Sequence, residues 1–215
     1  MTKKVRVRFA PSPTGPLHIG GLRTALFNYL FAKKNGGEFM IRIEDTDQNR
    51  YVKGSEKHIM DSLEWCNILA NESPVIGGKY GPYKQSERKE LYAKRIRELI
   101  EKDAAYYAFD SKEELASQRT AAENTGKIFS YNSLNRLSLK NSLSISKKET
   151  RELLNNGAEH VVRFKTPTEQ EVVCQDELRG IIRVSTKTID DKILFKSDGM
   201  PTYHFANVVD DYEME

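Results

Sequence analysis

The stretch Arg8 to Gly21, RFAPSPTGPLHIGG, constrains this chain more than any other. Pro11, Pro13, Gly15 and Pro16 forbid both a continuous helix and a sheet ladder, so the backbone there must form a stiff, shaped loop. What flanks the loop is regular. Val5, Val7 and Phe9 alternate with Arg6 and Arg8, the period of a half-buried strand. Beyond Gly21, the residues Leu22, Ala25, Leu26, Tyr29 and Leu30 recur at the spacing of one helical face. His18-Ile19-Gly20-Gly21 therefore falls at or near a helix N-terminus. Free N–H groups and the helix dipole favour an anion there. Gly20 and Gly21 would let a ligand approach the backbone closely, and His18 can donate a hydrogen bond to a phosphate oxygen. An H-x-G alone reads more readily as a tight turn beside a surface histidine. The surrounding stretch, and a second one downstream, carry the phosphate reading.

The second stretch is Glu38 to Asp47, EFMIRIEDTD. Gly36-Gly37 stops the helix. Phe39, Ile41 and Ile43 then alternate with Met40 and Arg42 as a second strand. Strand, helix and strand within about forty residues make a βαβ unit, a right-handed crossover in a parallel sheet. Ligands of such sheets sit outside the carboxyl ends of the strands. Arg8 and Glu44 end the two strands, so both should border one crevice together with His18. A cation, an anion and a phosphate site in one crevice suit a zwitterion reacting with a nucleotide.

The remaining chain sets bounds. Its 215 residues allow one or two domains and a real core. A net charge of +3 and a pI of about 8.7 do not by themselves argue for nucleic acid. Cys66 and Cys174 are too few for a disulfide framework or a cysteine zinc site; they read as buried thiols in a reducing compartment. The N-terminus lacks an apolar signal region and no run reaches membrane-span length, so a soluble cytoplasmic protein is expected.

Taken in order, Asp45 to Arg50 reads as a capping and turn segment rather than a metal site. A helix is expected over 55–66, with Ile59, Met60, Leu63 and Cys66 inward and His58 exposed. Ser86 can cap a helix that carries Tyr92, Ile96, Leu99 and Ile100 on one face. Ala104 to Phe109 then reads as a short strand. Ser111 with Glu114, and Ser146 with Glu149, form capping boxes, and Ser117 to Ser144 reads as irregular. Strands follow at 161–165, 171–174, 181–184 and 193–196. This mixed segment interrupts the parallel pattern and so reads as an inserted domain. Ser197-Asp198-Gly199 is a turn. Pro201 should open a last helix with Phe205, Val208 and Val209 as its apolar face and Tyr203 and Asn207 on another.

Four ordered blocks now carry a resemblance: RFAPSPTGPLHIGG, IEDTD at 43–47, GPYKQSER at 81–88 and KSDGMPTYHFANVVDD at 196–211. The chain resembles the N-terminal part of the glutamyl-tRNA synthetases, of the class I aminoacyl-tRNA synthetases. His18-Ile19-Gly20-Gly21 stands where that class has its HIGH signature.

The resemblance implies an α/β fold. A Rossmann-like parallel-sheet nucleotide-binding domain would carry an inserted α+β domain for the tRNA acceptor stem. Expected boundaries are 1–88 for the first half of the catalytic domain, 89–196 for the insertion and 197–215 for the return. In the insertion, Lys127, Arg136, Lys140, Lys147, Lys148 and Arg163 are candidates for phosphate contact.

It also implies ATP-dependent attachment of glutamate to tRNA(Glu) through a glutamyl adenylate, with Mg²⁺ riding on ATP. Arg8, Ala10, Ser12, Glu44, Tyr203 and Asn207 are the expected glutamate site. Pro11, Ser12, Thr14, Gly15, His18, Gly20 and Gly21 are the expected ATP site, with His18, Gly20 and Gly21 closest to the chemistry. Ala108 and Asp110 stand where zinc-bearing relatives have cysteines, so no zinc is expected. The expected partners are tRNA(Glu), glutamate and ATP, with no membrane, and the expected state is a monomer. The chain stops at Glu215, before the second half of the nucleotide fold and its KMSKS-type loop, and so reads as an N-terminal fragment with weak or no charging activity of its own. A glutamyl-queuosine tRNA(Asp) synthetase, a small-molecule nucleotidyltransferase and a non-catalytic tRNA-binding chain remain alternatives.

Overall fold

The computed structural model describes residues 4–215. They form two compact units, residues 4–92 with Met200–Glu215, and Ala93–Gly199.

The first unit begins as the hydrophobic pattern dictates. Strands β1 (Arg6–Phe9) and β2 (Glu38–Ile41) run parallel, Arg6 opposite Glu38 and Phe9 opposite Ile41, joined by helix α1 (Ile19–Lys34). The helix ends at Asn35, and Gly36 takes the left-handed conformation at φ 60° that reverses the chain. A Cβ at Gly37 would collide with the Val5 carbonyl; its absence lets Glu38 N–H bond Val5 O at 2.8 Å and start β2 in register.

The core here is Phe9, Phe39, Ile41 and Ile43 from the β1 and β2 region, Ala25 and Ala32 from α1, and Ile59 and Leu63 from α2 (Ser55–Trp65). The apolar stripe expected on α1 is narrower than its sequence. Leu22 and Tyr29 pack inward around Ala25 and Ala32, while Leu26 and Leu30 face outward beside Phe27 and Phe31. The two alanines bring the helix close to a sheet of only two strands, which covers one strip of it.

Helix α6 (Tyr203–Glu213) closes this unit through one acid. Asp210 is fully buried and accepts hydrogen bonds from Gln85 Nε2 at 2.8 Å, Arg88 Nε at 2.8 Å and the Tyr92 hydroxyl at 2.7 Å. Three local expectations are corrected here. Thr202 is the N-cap of α6 and Pro201 precedes it, so proline shapes the entry rather than the first turn. Ala206 is buried, and Val208 is exposed. Ser86 caps no helix: the Asp45 carboxylate captures its N–H at 2.8 Å, holding residues 85–87 as a short 3-10 turn before helix α3 (Lys89–Glu101).

The second unit centres on an antiparallel sheet of β3 (Ala105–Ala108), β4 (Val161–Phe164) and β7 (Ile193–Phe195), in that order. A separate hairpin pairs β5 (Glu171–Asp176) with β6 (Gly180–Ser185). Helices α4 (Lys112–Glu123) and α5 (Lys147–Asn155) start at Ser111 and Ser146. The capping box is reciprocal at Ser111; at Ser146 the serine accepts from Glu149 N–H. Good helix formers carry α4 to Glu123, so residues 117–123 are helical rather than irregular.

Cys174 lies exposed on β5 and Cys66 is half-buried, so neither is the enclosed thiol expected. Arg136 and Arg163 are also corrected. Both are buried around the fully buried Asp191, Arg136 Nε 3.2 Å from its carboxylate and Arg163 Nη1 donating to its carbonyl at 3.0 Å. Arg163 also stacks over Tyr131 at 3.9 Å. Of the six candidates, Lys127, Lys140, Lys147 and Lys148 are exposed.

Asp210→Ala should destabilise the first unit by about 3–5 kcal/mol, because it strands the buried Arg88 without its acid and removes one of the three acids around Arg42. Urea unfolding followed by circular dichroism measures it; a loss under 1 kcal/mol would contradict this role.

Candidate functional site

The loop between β1 and α1 is pinned by its own carbonyls. Pro11 O accepts the Glu44 N–H at 3.0 Å, Pro13 O the Val52 N–H at 3.0 Å and Ser12 O the Thr14 N–H at 2.9 Å. Pro13 is buried while Ser12, Thr14 and His18 are exposed, so the loop presents hydroxyls and an imidazole on a rigid backbone.

His18 is the N-cap of α1, and its Nδ1 accepts the Gly20 N–H at 3.1 Å. With Nδ1 used as acceptor, the neutral imidazole carries its proton on Nε2, a free donor facing outward. The glycines are also close-packed against the chain's own side chains. A Cβ on Gly20 would lie 2.9 Å from the His18 ring, and one on Gly21 2.8 Å from Leu17 Cδ1. The chain's own side chains thus occupy the space the glycines leave. The Gly20 N–H is consumed by His18, leaving the Ile19 and Gly21 N–H groups of the first turn without an intrahelical acceptor. His58, which the sequence left as a plain surface residue, accepts the Leu17 N–H on Nδ1 at 3.2 Å and so steadies the residue before His18. An i+41 contact carries no local sequence signal.

At the strand ends, Arg8 and Ala10 border a cleft of about 540 Å³ with Arg42, Asp211, Thr24 and Asn28. His18 borders a different concavity, with His58, Leu22 and Trp65. The structure thus brings Arg8 and Ala10 together and sets His18 apart from them. Pro11, Ser12, Thr14 and Gly15 lie on the loop between and line neither.

Arg8 donates from Nε and Nη2 to both Asp211 oxygens, at 2.6 and 2.8 Å. Arg42 is fully buried, with Nη2 2.8 Å from Glu44 Oε1 and 2.9 Å from Asp211 Oδ1. Burial pushes the Glu44 carboxyl above its ordinary range, against the hydrogen bond and charge of Arg42 and the charge of Arg8. The Asp211 hydrogen bond raises Arg8, and the charges of Asp211, Glu44 and Tyr203 outweigh its desolvation with it. For Asp211, burial pushes upward, but the hydrogen bond from Arg8 and the charges of Arg42 and Arg8 win, so its carboxyl sits below the usual range.

Tyr203 and Asn207 are one turn apart on α6, Tyr203 half exposed. Asn207 Oδ1 is buried with no hydrogen-bond partner, an acceptor in want of a donor. Asp45 and Asp47 act as turn anchors, Asp45 on Ser86 and Asp47 on the Asn49 N–H. Among the described residues, no group of three or more histidines, cysteines or acids could hold a metal ion, and no helix is long and apolar enough to cross a membrane.

A parallel βαβ start, a histidine-capped helix N-terminus and a charged cleft at the strand ends define a nucleotide-binding α/β domain. The profile of one family, described as tRNA synthetases class I (E and Q), catalytic domain, matches residues 4–215. The chain belongs to that family.

It is 56% identical over 215 residues to the glutamate–tRNA ligase of Christiangramia forsetii, covering 100% of this chain and 43% of that protein. To that of Bacteroides fragilis it is 49% identical over 214 residues, covering 99% and 42%. A crystal structure of a glutamate tRNA ligase from Elizabethkingia meningosepticum, in complex with its amino acid, superposes with a TM-score of 0.95 at 53% identity, over 99% of this chain and 42% of that one. The fold is thus the class I synthetase catalytic fold, and the chain spans less than half the length of these relatives.

Gly20→Ala should displace the His18 ring and break the cap. The His18 imidazole resonances in an NMR spectrum should then move while those of His160, in the second unit, stay. An unmoved His18 ring would contradict the close approach.

Proposed function

We propose that this chain is the glutamate-activating part of a glutamate–tRNA ligase. The observation that carries the reading is an Arg8 cation and a buried Glu44 carboxylate close enough to feel each other's charge, joined through Asp211 and Arg42; Asn207, on the helix that carries Asp211, adds a buried oxygen without a donor. Glutamate brings the matching set: a side-chain carboxylate for Arg8, an ammonium for Glu44 and Asn207, and an α-carboxylate left to react. Ala10 and Ser12 would line the pocket through backbone and hydroxyl, and Tyr203 would lie against the aliphatic part.

In the first step an α-carboxylate oxygen of glutamate attacks the α-phosphorus of ATP. The bond to the bridging oxygen breaks, and pyrophosphate leaves with the electron pair. In the second, a ribose hydroxyl of the terminal tRNA adenosine attacks the acyl carbon, and AMP departs. The protein positions the reactants and stabilises charge. His18 Nε2–H and the first-turn N–H groups of α1 face the phosphates, with Pro11, Ser12, Thr14 and Gly15 as the loop beside them. Mg²⁺, carried on the ATP phosphates as part of the substrate, would neutralise their charge.

The insertion, residues 89–196, is assigned to the acceptor stem, with the exposed lysines of the second unit toward its phosphates. The residues 1–88 and 197–215 make up the catalytic part. The partners are tRNA(Glu), glutamate and ATP, in the cytoplasm, the protein acting as a monomer without a zinc ion.

His18→Asn separates structure from chemistry, since asparagine is a good N-cap without the imidazole. In a ligase of the relatives' full length carrying this chain, charging should fall by about 10²–10³ with melting temperature and glutamate KM unchanged. Equal losses in rate and in glutamate binding would overturn the phosphate role.

A second outcome follows from Glu44. Only its ionised form holds an ammonium, and burial pushes its carboxyl above the usual carboxylate range. Glutamate affinity should therefore fall on acidification at a pH above that of an ordinary carboxylate. Calorimetric titrations across that range measure it; Glu44→Gln should flatten the profile, and an unchanged profile in that variant would contradict the assignment.

A further inference from the structure

Helix α6 carries a third residue on the face of Tyr203 and Asn207. Asp211 follows at the next i+4 step and borders the same cleft as Arg8. Among the described residues it is the one acid that touches Arg8 through hydrogen bonds, and it does so bidentately, taking Nε and one Nη2 hydrogen. A guanidinium is a planar fork of five donors with two edges fit for a carboxylate. With the Nε/Nη2 edge taken, the Nη1/Nη2 edge remains.

Asp211 is itself fixed. The fully buried Arg42 reaches its Oδ1 at 2.9 Å and reaches Glu44 with the same Nη2. Arg8, Asp211, Arg42 and Glu44 thus form one chain of alternating charge between the cation and the anion of the glutamate reading.

We propose that Asp211 is a positioning and specificity-determining residue: it clamps one edge of Arg8 so that the other edge meets the substrate side chain as a fixed two-donor fork. A fork of two N–H groups matches a carboxylate, which offers two acceptors. It mismatches a side-chain amide, which offers one acceptor and turns a donor toward the second N–H. A clamped Arg8 therefore favours glutamate over glutamine; a loose one can rotate to suit the amide. The inference rests on Arg8 binding the side-chain carboxylate.

The test measures charging kinetics in a ligase of the relatives' full length, on Asp211→Ala, Asp211→Asn, Arg8→Ala and the double variant Arg8→Ala/Asp211→Ala. Asp211→Ala should raise the glutamate KM roughly tenfold and narrow the preference for glutamate over glutamine, with the ATP KM unchanged. Asp211→Asn keeps one acceptor for Arg8 Nε and should fall between. In the Arg8→Ala background, Asp211→Ala should add nothing, because Asp211 acts through Arg8.

If Arg8→Ala leaves the glutamate KM unchanged, the glutamate reading itself fails. If Arg8→Ala raises it but Asp211→Ala does not, only the clamp fails. A lower glutamate KM in Asp211→Ala would mean that Asp211 competes with substrate, and equal changes in both KM values would mean a purely structural ion pair; either overturns the proposal.

Discussion

A single buried guanidinium organises the first unit. Arg42 follows β2 with no solvent contact, facing Glu44, Asp210 and Asp211. An arginine in that position is tolerable only if the surrounding acids are held in place, since an unpaired buried charge costs several kcal/mol. Asp210 is held by Gln85, Arg88 and Tyr92, which draws the last helix and the 85–92 segment onto the sheet. Asp211, one residue on, is held by Arg8. The requirement to satisfy one cation thereby brings α6 to the carboxyl ends of β1 and β2, beside the cleft that Arg8 and Asp211 line.

The same requirement makes the site electrostatically uneven. Glu44 is desolvated and raised, Asp211 is doubly paired and lowered, and Arg8 is reinforced in its charge. Neighbouring carboxyls pushed in opposite directions are a common arrangement where one must respond to a ligand and the other must hold its partner still. His18 solves a smaller problem in the same way, its Nδ1 capping the helix so that Nε2–H is left to face solvent.

Much of this was legible in the sequence, for local reasons. The proline-rich loop, the alternation of β1 and β2 and the Gly36-Gly37 stop are short-range signals, and the parallel pairing follows from the crossover. The second unit's strands were legible from bounded apolar runs. What escaped was long-range. Nothing near Arg8 announces Asp211, 203 residues away, and nothing near Leu17 announces His58. Arg136 and Arg163 looked like phosphate ligands because composition cannot tell a buried arginine beside Asp191 from an exposed one. Leu26 and Leu30 carried the right period for the core, but the face of α1 that packs on the sheet is the one centred on Ala25 and Ala32.

The account stands on a glutamate pocket preformed within the first unit. Its most direct test is thermal unfolding of the 215-residue chain with a non-hydrolysable glutamyl-adenylate analogue, alongside the Arg8→Ala variant. At a hundred times the dissociation constant, the ligand should stabilise the chain by about 2.7 kcal/mol, and Arg8→Ala should abolish the shift. No shift in the unaltered chain at saturating analogue, or an equal shift in Arg8→Ala, would contradict it.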